Sequence, residues 1–389
     1  MAGVKRGSGE NGRMTDLLPV EPLTRLRERR SAKWRTYGPE VLPLTIAEMD
    51  FALPDAVKTV LAAAVERSDT GYAMPTDGLG EALAGFAERR WGLRIDPAAV
   101  TAATDVSTGV VEMLRLFTTP GDRVVINTPV YPPFFDWLNE ARAELHEVPL
   151  KDGWQLDLPA LDRAFATGPA AFVLCNPQNP VGRVHTAEEL AAVVDLATRH
   201  GVPVISDEIH APLVLPGATF TPLLSVPGAA EIGVSVMSGS KAFNLAALKC
   251  AMIVTASRRM ADVVAKLPPD TRWRTGHFGV LASTAAYTHG DAWLDRLLLT
   301  LDDRRSLLTK LIHDRLPSVS WRPPQATYLA WLDCRSSGSG TAPRDLFLGA
   351  GVALEPGTRF GEHSGYVRLN FGTSAEVLEL AVDRMASAL

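Results

Sequence analysis

The sequence predicts an α/β protein, a mostly parallel sheet with helices on both faces. Three observations support that class. Short apolar runs rich in β-branched residues recur through the middle of the chain, at Arg123 to Asn127, Ala171 to Asn176, Pro203 to Asp207, Val234 to Ser238 and Ala251 to Ala256. These suit strands. Amphipathic segments lie between them, and such alternation implies helices packed on a parallel sheet. Several runs also close on polar residues, Asn176, Asp207 and Ser238. Ligands of such sheets bind outside the C-terminal ends of the strands.

Met1 to Asp16 is rich in Gly and charge and lacks an apolar h-region, so it reads as a disordered extension rather than a signal peptide. The basic cluster Arg25 to Arg30 reads as a solvated helix face. Thr108, Gly109 and Val110 precede an apolar helix, Val111 to Phe117, and backbone N–H groups at a helix start bind phosphate readily. Thr186 to His200 is the clearest helix. Thr186 and Glu189 form a capping-box pattern, Leu190, Val193, Val194 and Ala197 make one stripe, and Gly201 stops it. Arg335 to Pro343, rich in Ser and Gly, reads as a loop.

With 389 residues, 46% of them hydrophobic, the chain can build a large core and two domains. The net charge is −5 and Lys and Arg are scattered, which argues against a nucleic-acid partner. The three cysteines, Cys175, Cys250 and Cys334, have no disulfide or metal spacing and suit a reducing cytoplasm. No apolar run reaches membrane-spanning length, so no membrane partner is expected. The eight histidines show no close metal-ligand pairing, so no metal is expected. Neither a Gly-x-Gly-x-x-Gly fingerprint nor a Gly-Lys-Ser/Thr loop occurs.

Lys241 is the most informative residue. It follows a strand-like stretch, in Met237-Ser238-Gly239-Ser240-Lys241-Ala242-Phe243-Asn244. An isolated lysine is ordinarily a surface residue. Here small neighbours let a bulky group approach, and a fixed, shielded, partly deprotonated amine can form a Schiff base. Three further runs accompany it: Asn176-Pro177-Gln178-Asn179-Pro180-Val181-Gly182, Ser206-Asp207-Glu208-Ile209-His210 and Tyr366-Val367-Arg368-Leu369-Asn370-Phe371.

The order and spacing of these four runs resemble the fold-type I enzymes that use pyridoxal 5'-phosphate (PLP), the aminotransferase class I/II superfamily. The resemblance implies an aspartate aminotransferase-like fold with a seven-stranded, mostly parallel sheet in a large domain, 55–290. A smaller α+β domain would combine 17–54 with 291–389. It also implies roles. Lys241 would hold the PLP aldehyde and then remove the α-proton, and Asp207 would pair with the ring nitrogen. Asn179 would bind the O3′ oxygen, with His210 nearby where many relatives place a tyrosine. Tyr131 would stack on the ring and assist proton transfer to the leaving group. Ser238 and the Thr108, Gly109 and Val110 backbone would hold the phosphate, helped by Tyr72 from a second subunit, so the active site needs a homodimer. Arg368 would clamp the substrate carboxylate, a task that suits a guanidinium. Lys249 stands where many relatives carry a phosphate-binding arginine.

Lys33-Trp34-Arg35-Thr36-Tyr37, Leu42 to Phe51 and Ala326 to Asp333 look like the MalY/PatB-like cystathionine β-lyase branch. The similarity runs from about Lys33 to the C-terminus. Pro212, the run Asp302-Asp303-Arg304, and Ala326 depart from the branch pattern without touching the core chemistry. This branch implies α,β-elimination of cystathionine or another L-cysteine S-conjugate to a thiol, pyruvate and ammonia. An aminotransferase would use Lys241, Asp207 and Arg368 identically, so that alternative stays open. A regulatory or binding protein that keeps the fold is a third possibility, against which an intact Lys241 argues.

Overall fold

The computed structural model describes residues 17–74, 78–338, 340 and 342–389; the Met1 to Asp16 extension lies outside the described residues. After a two-residue strand β1 (Leu42–Pro43), seven strands build the main sheet: β2 (Val100–Ala103), β3 (Arg123–Ile126), β4 (Glu144–Glu147), β5 (Ala171–Cys175), β6 (Val204–Asp207), β7 (Gly233–Met237) and β8 (Ala251–Val254). Their order is β2-β8-β7-β6-β5-β3-β4. The block from β7 to β4 is parallel, and β8 runs antiparallel to both its neighbours. The five expected strands are all present; β2 and β4, at the two edges, were not anticipated. Glu144–Glu147 has too little apolar character to stand out, as befits an edge strand.

The central strands are buried on both faces. Alternation sorts their side chains: Ile126, Val173 and Ile205 pack in one cluster, while Val125, Phe172, Leu174 and Val204 pack in the other. The helices Val106–Phe117 and Pro133–Ala141 cover the first face, and Leu158–Phe165 and Ala187–His200 the second. The last of these carries the expected capping box between Thr186 and Glu189.

The C-terminal third forms a four-stranded antiparallel sheet. Its strands are β9 (Ser320–Trp321), β10 (Leu329–Asp333), then, beyond β11 (Val352–Ala353), β12 (Glu355–Pro356) and β13 (Tyr366–Asn370). The order is β12-β13-β10-β9, and β11 pairs with β1 in parallel.

Between β1 and the helix Asp55–Glu66 the chain makes a largely buried strap, Leu44 to Phe51, with little regular structure. Its carbonyls therefore need partners from elsewhere. Arg368 donates to Thr45 O at 3.0 Å, and Asn370 Nδ2 to Ile46 O and Glu48 O at 2.7 Å each. Tyr328 Oη donates to Ala47 O at 2.8 Å, and Asn244 Nδ2 to Met49 O at 2.8 Å and Phe51 O at 3.1 Å. Asn244 sits at φ 63°, a left-handed conformation that asparagine tolerates better than most residues.

An ion pair anchors the strap's far end. Lys33 Nζ lies 2.8 Å from Asp50 Oδ2, with both side chains only 1% exposed, and Trp34 Nε1 donates to Asp50 Oδ1 at 3.1 Å. Arg29 donates to Asp50 O at 2.9 Å. This corrects the reading of Arg25 to Arg30 as a solvated helix face. The helix there covers only Leu23–Leu26, and Arg29 turns inward to satisfy strap carbonyls.

Removing one member of a buried pair leaves the other charge uncompensated, at about 3–5 kcal/mol. Asp50→Ala is therefore expected to destabilise the protein by that amount, read as a fall in the urea midpoint. A loss under about 1 kcal/mol, the range of an exposed pair, would show that the pair does not anchor the strap.

Candidate active site

The loops that follow β5, β6 and β7 meet the start of the helix Val106–Phe117 around a cavity of about 160 Å³. Tyr131, Asn179, Asp207, His210, Ser238 and Lys241 all line it. Six of the expected residues, far apart in the chain, thus converge because four parallel strands, β3, β5, β6 and β7, end side by side.

Lys241 Nζ donates to Ala47 O of the strap at 3.0 Å. Burial, aided by the Arg368 charge, lowers its pKa to about 8, against the pull of Glu48 and Asp207. Asp207 ends β6 and accepts the Ile209 N–H at 3.1 Å. Burial pushes its carboxyl up to about 7, while the Ile209 bond and the Lys241 charge draw it down. A cation placed against it would hold it ionised. Its neighbour Glu208 serves the fold instead, accepting from Ser206 Oγ at 3.0 Å and from the Leu223 N–H at 2.8 Å.

His210 is buried, and desolvation together with the Lys241 and Arg368 charges lowers it to about 3. Its imidazole is therefore neutral, and Nδ1 has no partner among the described residues. Asn179 Oδ1 accepts from Arg368 Nη1 at 3.2 Å. A guanidinium only donates, so the Asn179 amide is oriented and its NH₂ group remains to donate elsewhere. Burial raises the Tyr131 phenol above its ordinary value despite the opposing Arg368 charge, which keeps it a proton donor.

Arg368 is buried beside the cavity rather than on its wall. It lies over the Phe360 ring at 4.9 Å. Asn179 and Thr45 occupy two of its five N–H groups, and Nε has no partner among the described residues.

The phosphate expectation needs correction. The helix begins at Val106, with Asp105 as its cap. Asp105 Oδ1 accepts the Thr108 N–H at 2.8 Å, and Asp105 O accepts the Gly109 N–H at 2.9 Å. Val110 is already inside the helix. None of Thr108, Gly109 and Val110 lines the cavity, whereas Val106 and Ser107 do. Gly109 has a packing role: a Cβ there would come within 3.0 Å of Val236 Cγ1. Ser238 Oγ does line the cavity but donates to Cys250 O at 2.6 Å, so it has no hydrogen to spare for a phosphate. Ser240, also on the wall, makes no side-chain hydrogen bond among the described residues.

Lys249 lines the cavity and pairs with Asp105 Oδ2 at 2.9 Å. Tyr72 does not line this cavity; it is 88% exposed, two residues before the exposed Met74. Sequence reasoning also missed Cys175 and Trp137 on the cavity wall. Cys175 Sγ accepts the Asn179 N–H at 3.4 Å, and the alternation of β5 turns it to the same side as Val173. Trp137 Nε1 is buried without a partner among the described residues.

These groups fit a phosphorylated pyridine aldehyde. The cavity offers an amine of lowered pKa, a buried carboxyl, a neutral imidazole with an unpaired nitrogen, an amide donor, and a helix start flanked by a lysine. Among the described residues, no cluster of His, Cys, Asp and Glu could hold a metal ion.

Comparison with known proteins agrees with this donor set. A Mycobacterium tuberculosis relative is 43% identical over 95% of this chain and 98% of its own. The cystathionine beta-lyase of Corynebacterium glutamicum is 34% identical over 94% of this chain and 99% of its own. The solved structure of cystalysin from Treponema denticola, which contains pyridoxal 5'-phosphate, superposes with a TM-score of 0.88 at 26% identity, over 93% of this chain and 96% of that one. The model of the aminotransferase class I and II family matches residues 39–385. The chain belongs to the aminotransferase class I and II family.

Proposed function

We propose that the chain is a PLP-dependent carbon–sulfur β-lyase that releases a thiol, pyruvate and ammonia from cystathionine or another L-cysteine S-conjugate. The observation that carries this reading is the amine of Lys241, lowered to about 8, in one cavity with the buried carboxyl of Asp207. Relatives bearing the name cystathionine beta-lyase narrow the reaction to cleavage at sulfur.

When bound, pyridoxal phosphate supplies an electron sink for the pair left as the substrate's Cα–H bond breaks. Lys241 would hold the cofactor's aldehyde, and its amine, when free, would accept the substrate's α-proton at Nζ. The Asp207 carboxylate would keep a proton on the ring nitrogen, and the Asn179 amide would donate to the ring oxygen. The N–H groups of Val106 and Ser107, the Ser240 hydroxyl and Lys249, all residues of the cavity wall, would hold the phosphate. Arg368 binds the substrate carboxylate with its remaining N–H groups. The bond from Arg368 to Asn179 ties substrate binding to cofactor binding. The protonated Tyr131 phenol donates to the sulfur as the Cβ–S bond breaks.

The division into a large domain, 55–290, and a small domain, 17–54 with 291–389, belongs to this reading. So does a homodimer in which Tyr72 of one protomer completes the phosphate site of the other. The exposure of Tyr72 and Met74 supports it, as does a groove of about 770 Å³ lined by Met74, Arg67 and His277. The three cysteines are free, which suits work in the cytoplasm. No helix among the described residues is long and apolar enough to cross a membrane.

Three outcomes are expected. Purified, PLP-loaded protein given L-cystathionine without any oxo acid should release thiol and pyruvate in equal amounts, and Lys241→Ala should release neither. Amino-group transfer to an added oxo acid, with no thiol, would establish an aminotransferase instead. Capture of PLP by the apoprotein, trapped by borohydride at Lys241, should rise through about pH 8 as the lowered amine loses its proton. A midpoint near the ordinary lysine value of about 10.4 would remove the argument from burial. Asp207→Asn should cut kcat/KM by about 10²–10³-fold, the usual loss when a preorganised charge is deleted, and a change under about threefold would remove Asp207 from the mechanism.

A further inference from the structure

A second cavity, of about 410 Å³, lies at the end of the small sheet and is lined by Glu355, Arg359, Tyr366, Arg344, Asp345 and Tyr37, among others. The pairing of β12, β13 and β10 puts Glu355 directly opposite Arg368, and Arg368 directly opposite Trp331. Residues opposite one another in antiparallel strands share a face of the sheet. Glu355 is thus the next side chain in the row that carries the carboxylate-binding arginine. Arg359 Nη1 sits 2.9 Å from Glu355 Oε2. The Glu355 side chain is 16% exposed and that of Arg359 56%, so the pair reaches from the Arg368 row out to solvent. Arg359 directly precedes Phe360, the ring beneath Arg368. Both charges are felt in the site: Glu355 supports the charged form of Arg368, and Arg359 acts on Arg368 and Tyr131.

We propose that Glu355 and Arg359 receive the far end of the substrate, an ammonium and a carboxylate carried on the thiol half of the S-conjugate. This rests on the C–S lyase reading and narrows it to conjugates whose leaving thiol is itself an amino acid, as in cystathionine. Glu355 takes the ammonium and Arg359 the carboxylate. Their mutual bond uses one nitrogen of the guanidinium and one oxygen of the carboxylate, so each keeps further capacity for a ligand. A half-exposed pair contributes little to stability, and exchanging it for two contacts to a zwitterion loses little. A purely apolar conjugate, such as S-ethyl-L-cysteine, has nothing to offer either charge.

The test is the ratio of kcat/KM for L-cystathionine to that for S-ethyl-L-cysteine, measured as pyruvate release by the PLP-loaded enzyme. Arg359→Met and Glu355→Gln are each expected to lower this ratio about 10- to 100-fold, the factor for a lost charge-assisted hydrogen bond, chiefly through KM for cystathionine. Arg359→Lys, which keeps the charge, should recover part of it. An equal fall for both substrates would show that the pair merely positions Arg368, and an unchanged ratio would show that it does not meet the substrate. Either result overturns the proposal. Absence of pyruvate from both substrates with the unaltered enzyme would instead sink the lyase reading itself, and the assignment with it.

Discussion

The active site depends on a stretch of irregular backbone that has to be buried. Leu44 to Phe51 passes through the interior with few strand or helix partners, yet its carbonyls cannot be left unpaired. The side chains that satisfy them include the site's own cations, Lys241 on Ala47 O and Arg368 on Thr45 O. One solvation problem and one positioning problem therefore share an answer. The strap is held because it is bonded, and the amine and guanidinium are aimed because they bond it. Asn370, Tyr328 and Asn244 add rigidity from both sheets without entering the chemistry.

Burial also does chemical work on both signs of charge. It draws the Lys241 amine down to about 8 and pushes the Asp207 carboxyl up to about 7. The amine is thereby brought close to the pH at which it can take up a proton, while the carboxyl becomes responsive to any cation placed against it. His210, desolvated and flanked by two cations, is fixed as a neutral ring and so cannot compete for the proton. The bond between Asn179 and Arg368 joins a residue of the cavity wall to one buried beside it, so a change at either is felt at the other.

Much of this was legible in the sequence. Lys241, Asp207 and Asn179 stood out because strand ends followed by polar or small residues mark the functional edge of a parallel sheet, and the cavity brings them together. The start of the helix expected to meet the phosphate was not legible. In Asp105-Val106-Ser107-Thr108-Gly109 several residues can cap, and Asp105 holds that place with Lys249, 144 residues away, bonded to its other oxygen. Ser238 was placed on the right wall but its hydroxyl is spent on Cys250 O, a partner that no local pattern announces. Arg29 looked solvated because its acceptor lies in the strap, 21 residues on. In each case the deciding contact is tertiary, and composition and spacing do not carry it.

The strap also sets an order of events. Its carbonyl at Ile46 is bonded by Asn370, 324 residues later, so a segment made early waits for one made much later. Contacts that close such long loops form late. The main sheet, whose strands follow one another between Val100 and Val254, needs no such wait. Catalytic competence thus arrives after most of the scaffold, and a chain that stops short of β13 lacks the residues that seat the strap and so cannot aim its lysine. The enzyme's activity is in this sense a report that synthesis has passed β13.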